Sequence, residues 1–332
     1  MAVTLKDVAL KAGVSRAAVS RSFTPGASVS AKTRAKVMDA AEALGYSPNM
    51  LARSLTTRRT QLVGLIANNF RNPVFLQIFD LFTRGLQDAG LRPLLVNLSD
   101  ETDPARSLTL LRQYSVDGVI VASSTLPEGF AAAFRQAGIP VVHAFGRATE
   151  APSAPVVGID NRHAGHLAAA ALLARGYRRL GFLGGPEASS TTQDRMAGFL
   201  AEAARAGAAV SVHFAADYAH DAGRIEMAKA LTTHRGADWA EAYFCGDDVL
   251  AIGAIAAIHA AGLQVPRDVG VIGLNDMDMA GWADIALTTI HQPFDAIVAG
   301  AIDLMRACLA DPDRLPEARL YACHLVVRGT LR

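Results

Sequence analysis

Cysteine is nearly absent from this 332-residue chain: Cys245, Cys308 and Cys323 are the only three, at spacings that neither pair nor form a CxxC. That argues against a disulfide framework and against a cysteine-built zinc site. Long apolar runs are lacking too. The longest, Val249 to Gly262, is interrupted by His259 and falls short of the ~20 residues a membrane-crossing helix needs. No basic-then-apolar leader opens the chain, so a cytoplasmic protein is expected. Aromatics amount to 6% against 51% hydrophobic residues, the composition of an Ala-, Leu- and Val-rich α/β protein with length for two or three domains. Catalytic patterns are missing as well. Gly181, Gly184 and Gly185 form neither GxGxxG nor a P-loop, and no Ser/His/Asp or paired-carboxylate arrangement follows from spacing. His163 and His166 stand at i, i+3 with no third ligand, so they read as ordinary helix histidines. No metal, cofactor or enzymatic activity is expected.

Net charge is almost absent, at +1, but it is unevenly placed. Residues 1–60 hold ten Lys/Arg and three acids, while the rest of the chain holds 22 and 28. A basic head on an acidic body points to a polyanion bound by one end only.

What the head contains is equally specific. Leu5, Val8, Ala9 and Ala12 fall at i, i+3, i+4 and i+7, one apolar helix face. Thr4 and Asp7 have capping-box spacing, and Gly13 suits the positive φ of a tight turn. Ser15 can cap a second helix, Arg16 to Ser22, with Val14 and Val19 at the staple positions. That helix buries Val19 and exposes Arg16, Ala17, Ser20 and Arg21. Ser30 caps a third helix whose Val37, Ala40, Ala41 and Leu44 share a face, closed by Gly45. Two short helices joined by a glycine turn, the second outwardly small, polar and cationic, describe a helix-turn-helix. Asn49 to Leu55 would make two helical turns, too few to persist alone in water.

From Gln61 the pattern changes. Strand-like runs at 61–67, 92–98, 117–123 and 140–145 alternate with helical stretches such as Phe75–Ala89 and Ser107–Tyr114. A second series follows at 178–185, 209–215, 240–246 and 268–275, with helices through Ala164–Ala174, Asp194–Ala206, Asp221–Thr232 and Val249–Ala261. This βαβα order implies two parallel, doubly wound sheets, with a ligand cleft beyond the carboxyl ends of the strands.

The run VTLKDVALKAGVSRAAVSR, with VSAKTRAKVMDAAEALGYSPNMLARSL after it, closely resembles the headpiece of the lactose-repressor (LacI/GalR) family, and the resemblance continues to the C-terminus. It implies an α/β protein with an all-α helix-turn-helix headpiece (1–47), a hinge helix and linker (48–60) and an effector-binding and dimerisation domain (61–332). That domain would have two lobes resembling a periplasmic sugar-binding protein. The N-lobe would span about 61–159 and 290–319, the C-lobe about 160–289 and 320–332. The function implied is a homodimeric, nucleoid-associated transcriptional repressor of a pseudo-palindromic double-stranded operator, controlled by a small effector and without membrane contact. Thr4, Leu5, Ser15, Arg16, Ala17, Ser20 and Arg21 would face DNA, with Arg16 and Arg21 reading bases and Lys32 and Arg34 holding phosphates. Asn49, Ala52 and Leu55 would enter the minor groove, Leu55 as an intercalating wedge. No leucine heptad precedes the terminal RGTLR, so a dimer rather than a tetramer is expected.

For the cleft, the resemblance implies contacts from Asn68 and Phe75 after the first strand. It adds Ser189, Thr191 and Arg195 around RMAGF, then Tyr218 as an aromatic platform, Gly246 and Asp247 in FCGDD, Asn275 and Asp276, and Gln292 in LTTIHQP. Phe145-Gly146-Arg147 stands where relatives often place an acid, and no contact is assigned to it. A carbohydrate effector, a sugar or sugar acid, is the main expectation. The wording of FCGDD and LTTIHQP leans toward a purine-type corepressor, which is the alternative. An enzyme fused to a DNA-binding head and a plain ligand carrier are the other classes. The missing catalytic pattern weighs against the first, and the basic head against the second.

Overall fold

In a computed structural model, residues 3–24, 26–47, 54, 59–68, 70–98, 104–126, 129–233 and 239–332 are described. The chain divides into two units, Met1–Thr60 and Gln61–Arg332.

In the first unit, α1 (Leu5–Ala12), α2 (Arg16–Ser22) and α3 (Ala31–Leu44) close over Val8, Val19 and Val37, all fully buried. Their ends are fixed locally. The Thr4 backbone N–H donates to Asp7 Oδ2 (2.9 Å), and its hydroxyl donates to the same oxygen (2.7 Å). Ser15 Oγ accepts from Ala18 N (3.2 Å), and Ser30 Oγ from Thr33 N (3.1 Å). The three backbone N–H bonds satisfy donors that the helices themselves leave open. Gly13 takes the left-handed conformation (φ 66°) that lets α1 turn into α2.

The second unit is two α/β lobes. One sheet has strand order β11-β5-β4-β3-β1-β2, where β1 is Leu62–Ala67, β2 Arg92–Asn97, β3 Gly118–Ala122, β4 Val141–Ala144, β5 Val156–Ile159 and β11 Ala318–Tyr321. Its pairings are all parallel. The other runs β12-β10-β9-β8-β6-β7, with β6 Arg179–Gly184, β7 Ala209–Phe214, β8 Ala242–Cys245, β9 Gly270–Asn275, β10 Thr288–His291 and β12 His324–Val326. It is parallel except at its edge, where β12 runs antiparallel to β10. The central strands are apolar on both faces because helices cover both. Thus α4 (Val74–Asp88) lays Val74, Ile78, Phe82 and Leu86 on the first sheet. Burying a side chain the size of Phe82 contributes about 1.5–3 kcal/mol.

Six strands and α-helices escape periodicity: α6 (Gly129–Gln136), β5, β10, β11, β12 and the long α11 (Phe294–Ala310) that packs on the first sheet. The remaining helices are α5 (Pro104–Gln113), α7 (Asn161–Ala174), α8 (Ser190–Arg205), α9 (His220–Thr233) and α10 (Asp248–Ala260). Because β10 belongs to the second sheet and β11 to the first, the later crossings between lobes fall after His291 and after Tyr321. They lie a residue or two beyond the expected 290 and 320.

Candidate functional site

The strands of both sheets end at a cavity between the lobes with about 540 Å³ of empty space, part of it open to solvent. One wall is neutral and polar. Asn68, after β1, donates to Thr125 Oγ1 (2.6 Å) and accepts from Ser123 Oγ (2.6 Å) after β3. The other wall is apolar, with Phe75, Phe145, Phe294, Val74 and Ile78.

Arg195 is the cation of the site and is 7% exposed. Its Nε donates to Asn161 Oδ1 (2.8 Å) and its Nη1 to the Gly246 carbonyl (2.6 Å), while Nη2 makes no hydrogen bond among the described residues. Two glycines set this geometry. A Cβ on Gly165 of α7 would lie 2.0 Å from the Arg195 carbonyl, and one on Gly198 of α8 would lie 1.9 Å from that of Arg162. The two helices therefore touch backbone to backbone, which brings Arg195 within reach of Asn161.

Asp247 balances the arginine. It caps α10 by accepting from Leu250 N (3.0 Å), and it accepts from Asn72 Nδ2 across the cleft (2.6 Å) and from Asn275 Nδ2 (3.4 Å). Burial pushes its pKa up, while those donors and the Arg195 charge pull it back. Its neighbour Asp248 pairs with no cation among the described residues. Burial pushes its carboxyl up to about 8, against the pull of the Thr289 hydroxyl (2.5 Å) and Met277 N (2.8 Å). Gln292, 4% exposed in the cavity wall, holds an amide oxygen with no partner among the described residues. Tyr218 sends its hydroxyl to Thr192 (2.7 Å), and its ring lies over Gly185, where a Cβ would approach to 2.4 Å. Three non-glycine residues at positive φ cluster at these strand ends: Phe145 (65°), Asn275 (122°) and Asp276 (59°). Backbone strain of this kind gathers where a site constrains the chain.

Of the expected effector residues, Asn68, Phe75, Arg195, Tyr218, Asp247, Asn275 and Gln292 line the cavity. Ser189, Thr191 and Gly246 stand one layer behind. Ser189 Oγ donates to the Ser124 carbonyl (3.0 Å), Thr191 bonds Ser189 (3.0 Å), and Gly246 orients Arg195. Asp276 is placed elsewhere: it accepts from Arg328 Nη2 (2.6 Å) and from His291 Nδ1 (3.1 Å) and is not in the cavity wall. A polar residue at a strand end gave no indication of which way its side chain turns. The sequence reading missed Asn161 and the role of Asn72. Asn72-Pro73 at a helix start was a usable signal, since Asn72 Oδ1 accepts from Val74 N (3.1 Å).

In the first unit, Arg16, Ala17, Ser20 and Arg21 form one exposed face of α2, bordered by exposed Thr4 and Ser15 and half-buried Leu5. Lys32 is exposed at the start of α3. Arg34 is turned inward instead, donating to the carbonyls of Ser22 and Ala27 (3.4 Å to the latter). Its guanidinium ties α3 to the end of α2, so a phosphate contact is not its evident task. Asn49, Ala52 and Leu55 lie outside the described residues.

Residues 4–49 match the family model described as bacterial regulatory proteins, lacI family, and residues 169–331 match a periplasmic binding protein-like domain. An HTH-type transcriptional repressor PurR from Photorhabdus laumondii is 34% identical over 310 residues, covering 91% of this chain and 89% of that protein. This chain belongs to the LacI family. The PurR of Escherichia coli O139:H28 is 33% identical over 321 residues, covering 95% of this chain and 93% of its own. Among solved structures, a lac repressor dimer bound to operator and the anti-inducer ONPF superposes with a TM-score of 0.87 at 26% identity, covering 99% of each chain. The complex of the transcriptional regulator CelR with cellobiose does so at 0.73 and 28%, also over 99% of each. LacI-family proteins are DNA-binding transcriptional regulators, and the two lobes here are the family's effector-binding body.

Proposed function

We propose that the chain is a homodimeric, operator-binding repressor whose DNA affinity is set by a sugar or sugar acid held between the lobes. The observation that carries the effector class is the mixed lining of one cavity: the polar side chains of Asn68, Ser123, Thr125, Arg195 and Gln292 can meet the hydroxyl groups of a ring. The aromatic wall of Phe75, Phe145, Phe294 and Tyr218 suits the apolar face of a pyranose or furanose ring. The CelR–cellobiose complex, a fold neighbour, supports a carbohydrate. A purine-type corepressor is the second reading, favoured by the wording of residues 244–248 and 287–293.

Exposed Arg16 and Arg21 on α2 would read a half-site, with Asn49, Ala52 and Leu55 entering the minor groove, and a pseudo-palindrome requires two chains. Such a protein works in the cytoplasm, at the nucleoid. Control is linkage: an effector alters DNA affinity only as far as it prefers one arrangement of the lobes over another.

A thermal-shift screen of neutral sugars, sugar acids and purines on the full chain tests the effector. Saturation at a hundredfold excess over Kd adds about 2.7 kcal/mol, which raises the Tm by several degrees. A shift with purines alone would replace the main reading by the second. Sedimentation showing a monomer at micromolar concentration would overturn the dimer.

A further inference from the structure

We propose that Arg147 is a positioning residue of the cleft, a clamp from the first lobe that fixes the helix presenting Arg195. The proposal rests on the reading above only in taking this cleft for the effector site. Arg147 follows β4 and lies on the segment to β5, both strands of the first sheet. Its Nε donates to Asp194 Oδ2 (2.8 Å), and its Nη2 to Asp194 Oδ1 (3.0 Å) and to the Ser190 carbonyl (3.1 Å). Both acceptors belong to α8, in the second lobe, and Asp194 immediately precedes Arg195.

The contact differs from an ordinary surface ion pair in three ways. It is bidentate, so the planar guanidinium fixes direction as well as distance. It is sheltered, with the two side chains 26% and 13% exposed, whereas the competing Arg162 reaches Asp194 at 3.5 Å from a position 71% exposed. Its root is rigid. A Cβ on Gly146 would lie 2.6 Å from the ring of buried His143, whose Nε2 donates to the Ser123 carbonyl (2.8 Å).

The first turn of α8 is also tied to the first lobe by Ser189 Oγ on the Ser124 carbonyl. With both ties made, α8 cannot shift against the first lobe without breaking a charge-assisted bond, and Arg195 holds its register in the cavity. Arg147 acts through Asp194 and Ser190, and it does not line the effector cavity itself.

Hydrogen exchange on the full-length chain, without effector or DNA, tests the clamp. Arg147→Glu should speed exchange of the amides of residues 190–195 about tenfold or more, while α11 exchanges as before. The exchanged pair Arg147→Glu with Asp194→Arg should return those amides to within about threefold of the original rate. In the unaltered chain, raising the salt from about 0.05 to 1 M should speed the same amides selectively, since this pair is only partly shielded. Unchanged exchange at 190–195 in Arg147→Glu, an equal rise throughout the body, failure of the exchanged pair to restore it, or insensitivity to salt would each overturn the clamp. Because no ligand enters these measurements, a chain that binds no sugar could still show the clamp. Loss of the clamp would likewise leave the sugar reading standing.

Discussion

The headpiece and the cleft use charge in opposite ways. On α2 and the start of α3, Arg16, Arg21 and Lys32 are exposed and make no hydrogen bond or ion pair among the described residues. In and around the cleft the buried or half-buried ions are tied or neutral: Arg195 to Asn161 and the Gly246 carbonyl, Arg147 to Asp194, Arg328 to Asp276, with Asp248 disposed to hold its proton. The difference follows from the partners. A phosphate backbone supplies its own counter-charge, so the surface that meets it can leave its cations open. A small ligand between the lobes supplies at most a charge or so, and burying further unmatched charges there would cost more than binding could return.

The strongest way to break this contrast is to unbalance the cleft. Arg195→Ala removes the donor to Asn161 and to the Gly246 carbonyl, and losing hydrogen bonds from a buried charged group costs about 1.5–3 kcal/mol each. Chemical denaturation should show that loss, and the effector screen should show no ligand-induced rise in Tm. Arg195→Lys keeps the charge but not the fork, so it should recover part of the stability and little of the ligand response. A variant as stable as the parent would show that Asn161 and the Gly246 carbonyl do not depend on Arg195.

Asp248 sharpens the comparison, since it is the buried acid without a cation. Its native pKa, about 8, lies above the ordinary value of 3.8. Between those values the folded state holds a proton that the unfolded state has lost, so this carboxyl's contribution is fully present below pH 3.8 and fades as pH rises toward 8. The decline is about 1.4 kcal/mol per pH unit. Asp248→Asn should remove it, so that the stability difference between variant and parent changes by about 2 kcal/mol in the variant's favour from pH 5.5 to pH 7. Urea titrations at the two values measure this. Parallel profiles would mean that Asp248 is ionised in the folded protein.

How much could be read from sequence alone divides along the same line. The headpiece was legible because its determinants are local: Thr4 with Asp7, Ser15 with Ala18 and Ser30 with Thr33 are each three residues apart. The first four strands of each lobe were legible as apolar runs between helices, whereas β5, β10, β11 and β12 were not. The cleft was legible as a location and, through the family's wording, as a set of positions. Its wiring was not, because Asn72 meets Asp247 and Arg195 meets Asn161 only after distant segments converge. Arg34 fell between the two cases. Its charge and position in α3 suggested phosphate, and only the packed headpiece brings the Ser22 and Ala27 carbonyls within its reach.

Arginines of one headpiece should therefore separate by readout. Arg34→Ala should destabilise the headpiece by about 1.5–3 kcal/mol, the range for hydrogen bonds to a charged group. Arg16→Ala and Arg21→Ala should leave folding nearly intact and cost about 1–3 kcal/mol of operator affinity, with relaxed specificity at the base each contacts. Thermal denaturation and binding to an operator library separate the classes. Reduced stability in Arg21→Ala, or a stable Arg34→Ala that loses only DNA affinity, would reverse the assignment.

The smallest expected effect is the one that isolates open charge from base reading. Lys32 is exposed, at the start of α3, with no acid paired to it among the described residues. An ammonium is a point charge without the planar fork that reads guanine, so on DNA it should neutralise a phosphate and release one condensed counterion. Lys32→Ala should then weaken specific and non-specific sites by the same factor. It should also flatten the dependence of log K on log salt by about 0.9, leaving the ratio between sites unchanged. Fluorescence anisotropy on an operator and on scrambled DNA at four or five salt concentrations gives both quantities at once. A change in the ratio between sites would make Lys32 a reader of bases, and an unchanged slope would place it off the DNA. Either outcome would confine the open-charge surface of the headpiece to α2.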